Sequence, residues 1–130
     1  MNGFEAVVGA GTMQGVSADA VRFPHRWTSE GVTVETTFTG AHLLHLAIAG
    51  CVLNDVYREA DRLGIDVAGV RVTASGDFDT TTWHSAGIDY VVDIDGPSGN
   101  DLDRLMDAVD DVAEIPKSVR AGAAVARTEP

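Results

Sequence analysis

The sequence predicts an α+β fold in which two helices pack against an antiparallel sheet. Three observations carry that reading: an alternating segment at Val32 to Phe38, a nearly unbroken apolar helix at Leu43 to Leu53, and two further alternating segments that read as a hairpin. With 130 residues, 45% of them hydrophobic, the chain holds enough apolar material for one ordinary core and is read as one domain over 1-130.

Phe4 to Gly9 reads as a short first strand closed by a Gly-Ala-Gly turn, and Val16 to Phe23 as a weaker second one. In the clear strand Val32, Val34, Thr36 and Phe38 lie on one face and Thr33, Glu35 and Thr37 on the other, so it is half-buried. Thr39 is placed to cap a long helix that Gly64 closes, and Val56, Tyr57 and Ala60 continue its buried stripe. Val70 and Val72, then Ile88, Tyr90, Val92 and Ile94, give the two strands of the hairpin, joined by a long polar connection from about Gly76 to Gly87. After the Pro97-Ser98-Gly99 break Asn100 can cap a second, amphipathic helix through Leu102, Leu105, Met106, Val109, Val112 and Ala113. Pro116 is expected to end it, and Gly122 to Arg127 to finish as an edge strand.

Twenty Asp and Glu against nine Lys and Arg give a net charge of -11, which repels phosphate backbones and anionic lipid surfaces. Neither nucleic acid nor a membrane is therefore an expected partner. The acidity is spread over strands, turns and the late helix and reads as a solvated surface. Met1 to Val8 has no basic start and no long apolar run, and Leu43 to Leu53 is about half the roughly 20 residues that span a bilayer. A cytoplasmic protein is the expectation. A single cysteine, Cys51, rules out an intrachain disulfide and suits a reducing compartment.

Cys51 is either a small core hydrophobe or a functional thiol. Burial raises a thiol's pKa, Asp55 at i+4 opposes the thiolate, and Arg58 at i+7 lies about 10 Å up the axis. A reactive Cys51 thus needs a cation from elsewhere. His42 and His45, at i, i+3, reach one metal together or serve local hydrogen bonds; two ligands do not make a site, and no metal or other cofactor is expected. Arg22, Arg26 and His25 beside Phe23 and Trp27 form an anion pocket, a dimer interface or an ordinary strand end. Trp83 and His84 either cover the cysteine or pack on the surface. No phosphate loop, HExxH or nucleophile elbow is present, and Gly9-Ala10-Gly11 lacks the rest of a dinucleotide fingerprint.

The segment Leu43-Leu44-His45-Leu46-Ala47-Ile48-Ala49-Gly50-Cys51, followed by Ile115-Pro116-Lys117-Ser118, resembles the OsmC/Ohr family over roughly residues 40 to 127. The first stretch is similar to the family's cysteine helix and the second to its Cys-Pro-Xaa-Ser motif, with Ile115 in place of the resolving cysteine and Ala41 where the family carries a glutamate. The resemblance implies an OsmC-like intertwined homodimer of oxidative-stress defence, with Cys51 as the peroxide-attacking residue and Arg22 or Arg26 as its cationic partner. Two functions follow from it. In one, Cys51 reduces organic hydroperoxides as a thiol-dependent, peroxiredoxin-type peroxidase restored by an external thiol reductant. In the other, a non-catalytic dimer binds a small hydrophobic ligand. His42, His45, Trp83 and Ile115 are the residues expected to line the pocket in either case.

The apolar circumference of Leu43 to Leu53 is more than one small chain can cover, so light scattering should give a dimer. A stable 13.7 kDa monomer at micromolar concentration would contradict this.

Overall fold

The computed structural model describes residues 3–130; of the Met1 to Val8 start, Met1 and Asn2 lie outside the described residues. Its elements are β1 (Phe4–Gly11), β2 (Val21–Phe23), β3 (Val32–Glu35), α1 (Gly40–Leu63), β4 (Gly69–Phe78), β5 (Ser85–Asp95), α2 (Gly99–Val112) and α3 (Glu114–Ala121). The strands form one antiparallel sheet in the order β2-β3-β1-β4-β5, α1 packs on it, and α2 and α3 pack against α1. The α+β class with helices on an antiparallel sheet is thus observed, with three helices rather than two.

Strand register sets the core. Val8 stands opposite both Val34 and Val72, and Val72 opposite Val92, so one valine row crosses four strands on a single face. Against that face α1 presents Ile48, Ala49, Val52, Leu53, Val56 and Ala60, all buried. Leu105 and Val109 bring α2 onto the same cluster.

The ends of α1 are where the sequence places them. Thr39 Oγ1 accepts from the His42 amide at 3.1 Å, and Gly64 takes the left-handed conformation at φ 69° that other residues adopt only at a cost. His45, fully buried in the second turn, lies close against β4. A Cβ at Gly76 would sit 2.6 Å from its Nε2, so only glycine fits there.

Several boundaries differ from expectation. The second strand is confined to Val21–Phe23, and β3 stops at Glu35, leaving Phe38 86% exposed. Thr33, assigned to a solvent face, is buried because its hydroxyl accepts from Gly15 N at 2.7 Å and donates to Gly9 O at 3.1 Å. The hairpin strands extend further than expected, leaving only 79–84 as a turn, which Asp79 holds by accepting from the Thr81 and Thr82 amides. Ser98, not Asn100, is the N-cap residue of α2. Pro116 does not end that helix. The chain breaks at Ala113, with ψ 95°, and Pro116 falls in the first turn of α3, where its missing N–H costs no helical bond. The expected edge strand at Gly122 to Arg127 is not formed. Small residues such as Ala123, Ala124 and Ala126 have little to bury at a sheet edge, and 122–130 joins neither β2 nor β5. Among the described residues no helix is long and apolar enough to cross a membrane.

Leu105 is wholly buried where α2 packs against α1. Leu105→Ala should lower stability by about 2–5 kcal/mol in urea unfolding, whereas a loss under about 1 kcal/mol would mean that α2 is not part of the core.

Candidate functional site

The sheet covers only one side of α1. Beside that contact Leu46, Ala47, Gly50 and Cys51 form one wall of a groove of about 510 Å³. Phe23, Pro24 and His25 from β2 and the loop after it, with Val32 and Val34 of β3, form the facing wall. Glu114 and Ile115, from the first turn of α3, complete the lining with Val8, Leu53 and Asn54. A smaller cavity of about 230 Å³ shares Phe23, Val34 and Leu46 with it and continues the apolar surface to Val21, Phe38 and Leu43.

Cys51 is half-buried, and its thiol donates to Asp55 Oδ2 at 3.7 Å. Burial is the main force holding the thiol protonated. The Ile115 backbone amide, which bonds the sulfur, works the other way, while the charges of Asp55 and Glu114 add to the burial; the pKa is pushed up to about 11. Asp55 itself has no exposed side-chain surface, and desolvation raises its pKa against the pull of Asn54 and Arg58. Its Oδ1 accepts from Asn54 Nδ2 at 3.2 Å and pairs with Arg58 at 3.3 Å. Behind Asn54, whose oxygen faces His25 Nε2 at 3.1 Å, the other ring nitrogen of His25 bonds Thr28 Oγ1 at 3.0 Å. A chain of polar contacts therefore runs from the loop after β2 to the thiol. Donor atoms of Cys51, Asp55 and Glu114 all lie within 4.8 Å of one another, the kind of set that holds a divalent cation.

Of the residues singled out from sequence, Cys51 and Ile115 are brought together. Arg22 and Arg26 flank the groove-lining Phe23-Pro24-His25 but turn elsewhere: Arg22 donates to the Glu30 carbonyl at 2.7 Å, and Arg26 lies over the Trp27 ring at 5.4 Å. His42 and His45 lie near the start of α1 and do not line the groove. His42 bonds the Thr39 hydroxyl at 2.6 Å, whereas His45 donates from Nδ1 to Ala41 O at 2.7 Å and leaves Nε2 buried without a partner beside Phe4 and Phe78. Trp83 stands 71% exposed at the hairpin tip, away from the groove lining. Glu114, Asn54 and the contacts of His25 were not singled out. Glu114 was within reach of the argument, since Ile115 had been placed beside Cys51 and Glu114 precedes it; the path from His25 through Asn54 depends on loop geometry that has no periodic signature.

With the thiol pKa near 11, alkylation of Cys51 should rise about tenfold per pH unit from 7 to 10. Asp55→Asn, removing an acceptor and a negative charge, should lower that pKa and speed alkylation at pH 7 several-fold. A rate that levels off below about pH 8.5, the region of an ordinary thiol, would show an unseen stabilising cation.

The family model described as OsmC-like protein matches residues 32–127. A crystal structure of an OsmC-like hydroperoxide resistance protein from Jannaschia sp. CCS1 is similar at a TM-score of 0.50 and 15% identity, over 93% of this chain and 90% of that one. No curated protein matches the chain. The family match covers most of the sequence, including the α1 cysteine, both hairpin strands and the Ile115-Pro116 turn that meets the sulfur, and the chain belongs to the OsmC-like family.

Proposed function

We propose that this chain acts in hydroperoxide-related defence by binding a small apolar molecule, of the organic-hydroperoxide class, in the groove over Cys51. The observation that carries this reading is the pairing of an accessible apolar groove with a thiol that two carboxylates and burial hold protonated. At pH 7 a thiol with a pKa of about 11 is ionised in only about one molecule in ten thousand, so binding is the property that the single chain supports best. The class of ligand comes from family membership and from the hydroperoxide resistance protein that shares the fold.

A second reading, peroxide reduction, is favoured by the same likeness. The Cys51 thiolate attacks the terminal peroxide oxygen, the O–O bond breaks, and the alkoxide leaves as the alcohol after taking a proton; Cys51 becomes a sulfenic acid. Two molecules of an external low-molecular-weight thiol return it to the thiol, releasing water and a disulfide of the reductant. Ile115 cannot serve as a resolving residue. This route needs a cation beside the sulfur, and a homodimer in which a second copy covers the open side of α1 with its Arg22 or Arg26 would supply one. Leu43, Leu46 and Ala47, left without full cover, support such an arrangement. A cytoplasmic setting fits the single unpaired cysteine.

Calorimetry with cumene hydroperoxide and cumyl alcohol, on wild type and Cys51→Ser, separates the two. Binding alone predicts similar affinities in both proteins and little peroxide consumed at pH 7 with added thiol. Fast turnover at pH 7 that Cys51→Ser abolishes, with oxidation mapped to Cys51, would establish the catalyst instead.

A further inference from the structure

We infer that His25 is a proton-dependent clasp between the loop after β2 and α1: with both ring nitrogens protonated it binds Asn54 and Thr28 at once, and when Nδ1 loses its proton the Thr28 hydroxyl leaves Gly31 to bind the ring. All of these partners lie within one chain, so the clasp operates whether a ligand or a second copy covers the groove over Cys51. The direction of each hydrogen bond follows from what its partners can do. Asn54, Arg58 and the Cys51 thiol all meet Asp55 as donors, so Asp55 is a bare carboxylate and Asn54 turns its NH2 group to Oδ1, at 3.2 Å. Asn54 Oδ1 then faces His25 Nε2 at 3.1 Å, and an amide oxygen only accepts, so Nε2 carries a proton. On the other side of the ring the Gly31 carbonyl also only accepts. The Thr28 hydroxyl therefore donates to it at 3.1 Å and accepts from His25 Nδ1 at 3.0 Å. Only the imidazolium satisfies the whole chain of contacts. In the neutral ring Nε2 keeps its proton, because turning the Asn54 amide over would set oxygen against the Asp55 carboxylate. The Thr28 hydrogen swings to Nδ1 instead, and Gly31 O loses its donor.

This exchange acts where the loop is most confined. The Gly31 amide donates back to Thr28 O at 3.1 Å, so reciprocal bonds close the turn and one of the two depends on the state of His25. Gly31, at φ 81°, lies too close to the Phe23 carbonyl for any Cβ, and Phe23 pairs with Val32 in the sheet. Phe23 and His25 both stand in the wall that faces Cys51, so slack in the turn passes to that wall. From α1 the Tyr57 ring meets His25 edge-on at 5.8 Å, and Asp55 with Arg58 stands behind Asn54. Cys51 and, from α3, Glu114 line the same groove, to which β3 brings only Val32 and Val34. In the loop itself Arg26 lies over Trp27 and Glu30 accepts from Gln14, while Arg22 of β2 is held by the Glu30 carbonyl. Of all these neighbours only Asn54 and Thr28 bond the ring, and a histidine changes charge between about pH 5 and 8.

Nitrogen-15 NMR of the labelled full chain reads the proton on each ring nitrogen, with His25 assigned from the spectrum of His25→Gln. Both nitrogens should be protonated at about pH 5, and Nε2 alone at about pH 8. Amide exchange gives a second readout. The protection factor of Gly31, corrected for the intrinsic pH dependence of exchange, should fall about fivefold over the same range, as one lost hydrogen bond allows. In Thr28→Val it should be low at both pH values, and Thr28→Ser should restore the wild-type response. A neutral His25 with its proton on Nδ1 would overturn the clasp. So would equal Gly31 protection at the two pH values in wild type, or a pH response that survives Thr28→Val.

Discussion

Contact between one face of α1 and the valine row of the sheet organises this protein. Ile48, Val52, Val56 and Ala60 meet Val8, Val34 and Val72, and burying such side chains is worth roughly 1.5–3 kcal/mol each. Because that contact fixes the rotation of the helix, it also decides what the opposite side shows. Leu46, Ala47, Gly50 and Cys51 are turned out by the same rotation, and short β2 and β3 only partly screen them. The groove is the uncovered remainder of a helix too apolar for one sheet to enclose.

The electrostatics follow from where α1 changes character. Its first half carries no charged side chain, and Asp55 is the first one met along the helix, on the buried stripe. Burying it is tolerated because Asn54 and Arg58 both bond Oδ1, and breaking such a pair by removing one partner typically costs about 3–5 kcal/mol. The same carboxylate then faces the thiol. One residue thus anchors the helix surface and sets the protonation of the cysteine, so stability and thiol chemistry are linked at this position.

Much of this fold was legible in the sequence. Thr39 and Gly64 bound α1 because caps have local chemical causes, and the hairpin followed from alternation at Val70 and Ile88. The errors arose where local signals run out. Gly122 to Arg127 is short and small enough to suggest an edge strand but offers little to bury at a sheet edge, and Pro116 sits within a new helix that starts just before it, the break itself falling at Ala113. At the site, the meeting of Cys51 with Ile115 came from family resemblance, since 64 positions of sequence separate the two and no periodicity connects them. The surroundings of Arg22 and Arg26 lay beyond reach for the same reason: guanidinium direction depends on which carbonyl or ring folding leaves nearby.

The Ile115 amide reaches the Cys51 sulfur through the main chain, which makes that contact indifferent to the side chain at 115. Substitution there leaves the N–H in place and alters only what projects from a backbone already against the sulfur. The scaffold is accordingly permissive at this position: an aliphatic group makes a one-thiol pocket, and a thiol in its place would begin life as the neighbour of Cys51. A single residue exchange, with no movement of helices or sheet, therefore decides whether one thiol or two stand at this point of the fold.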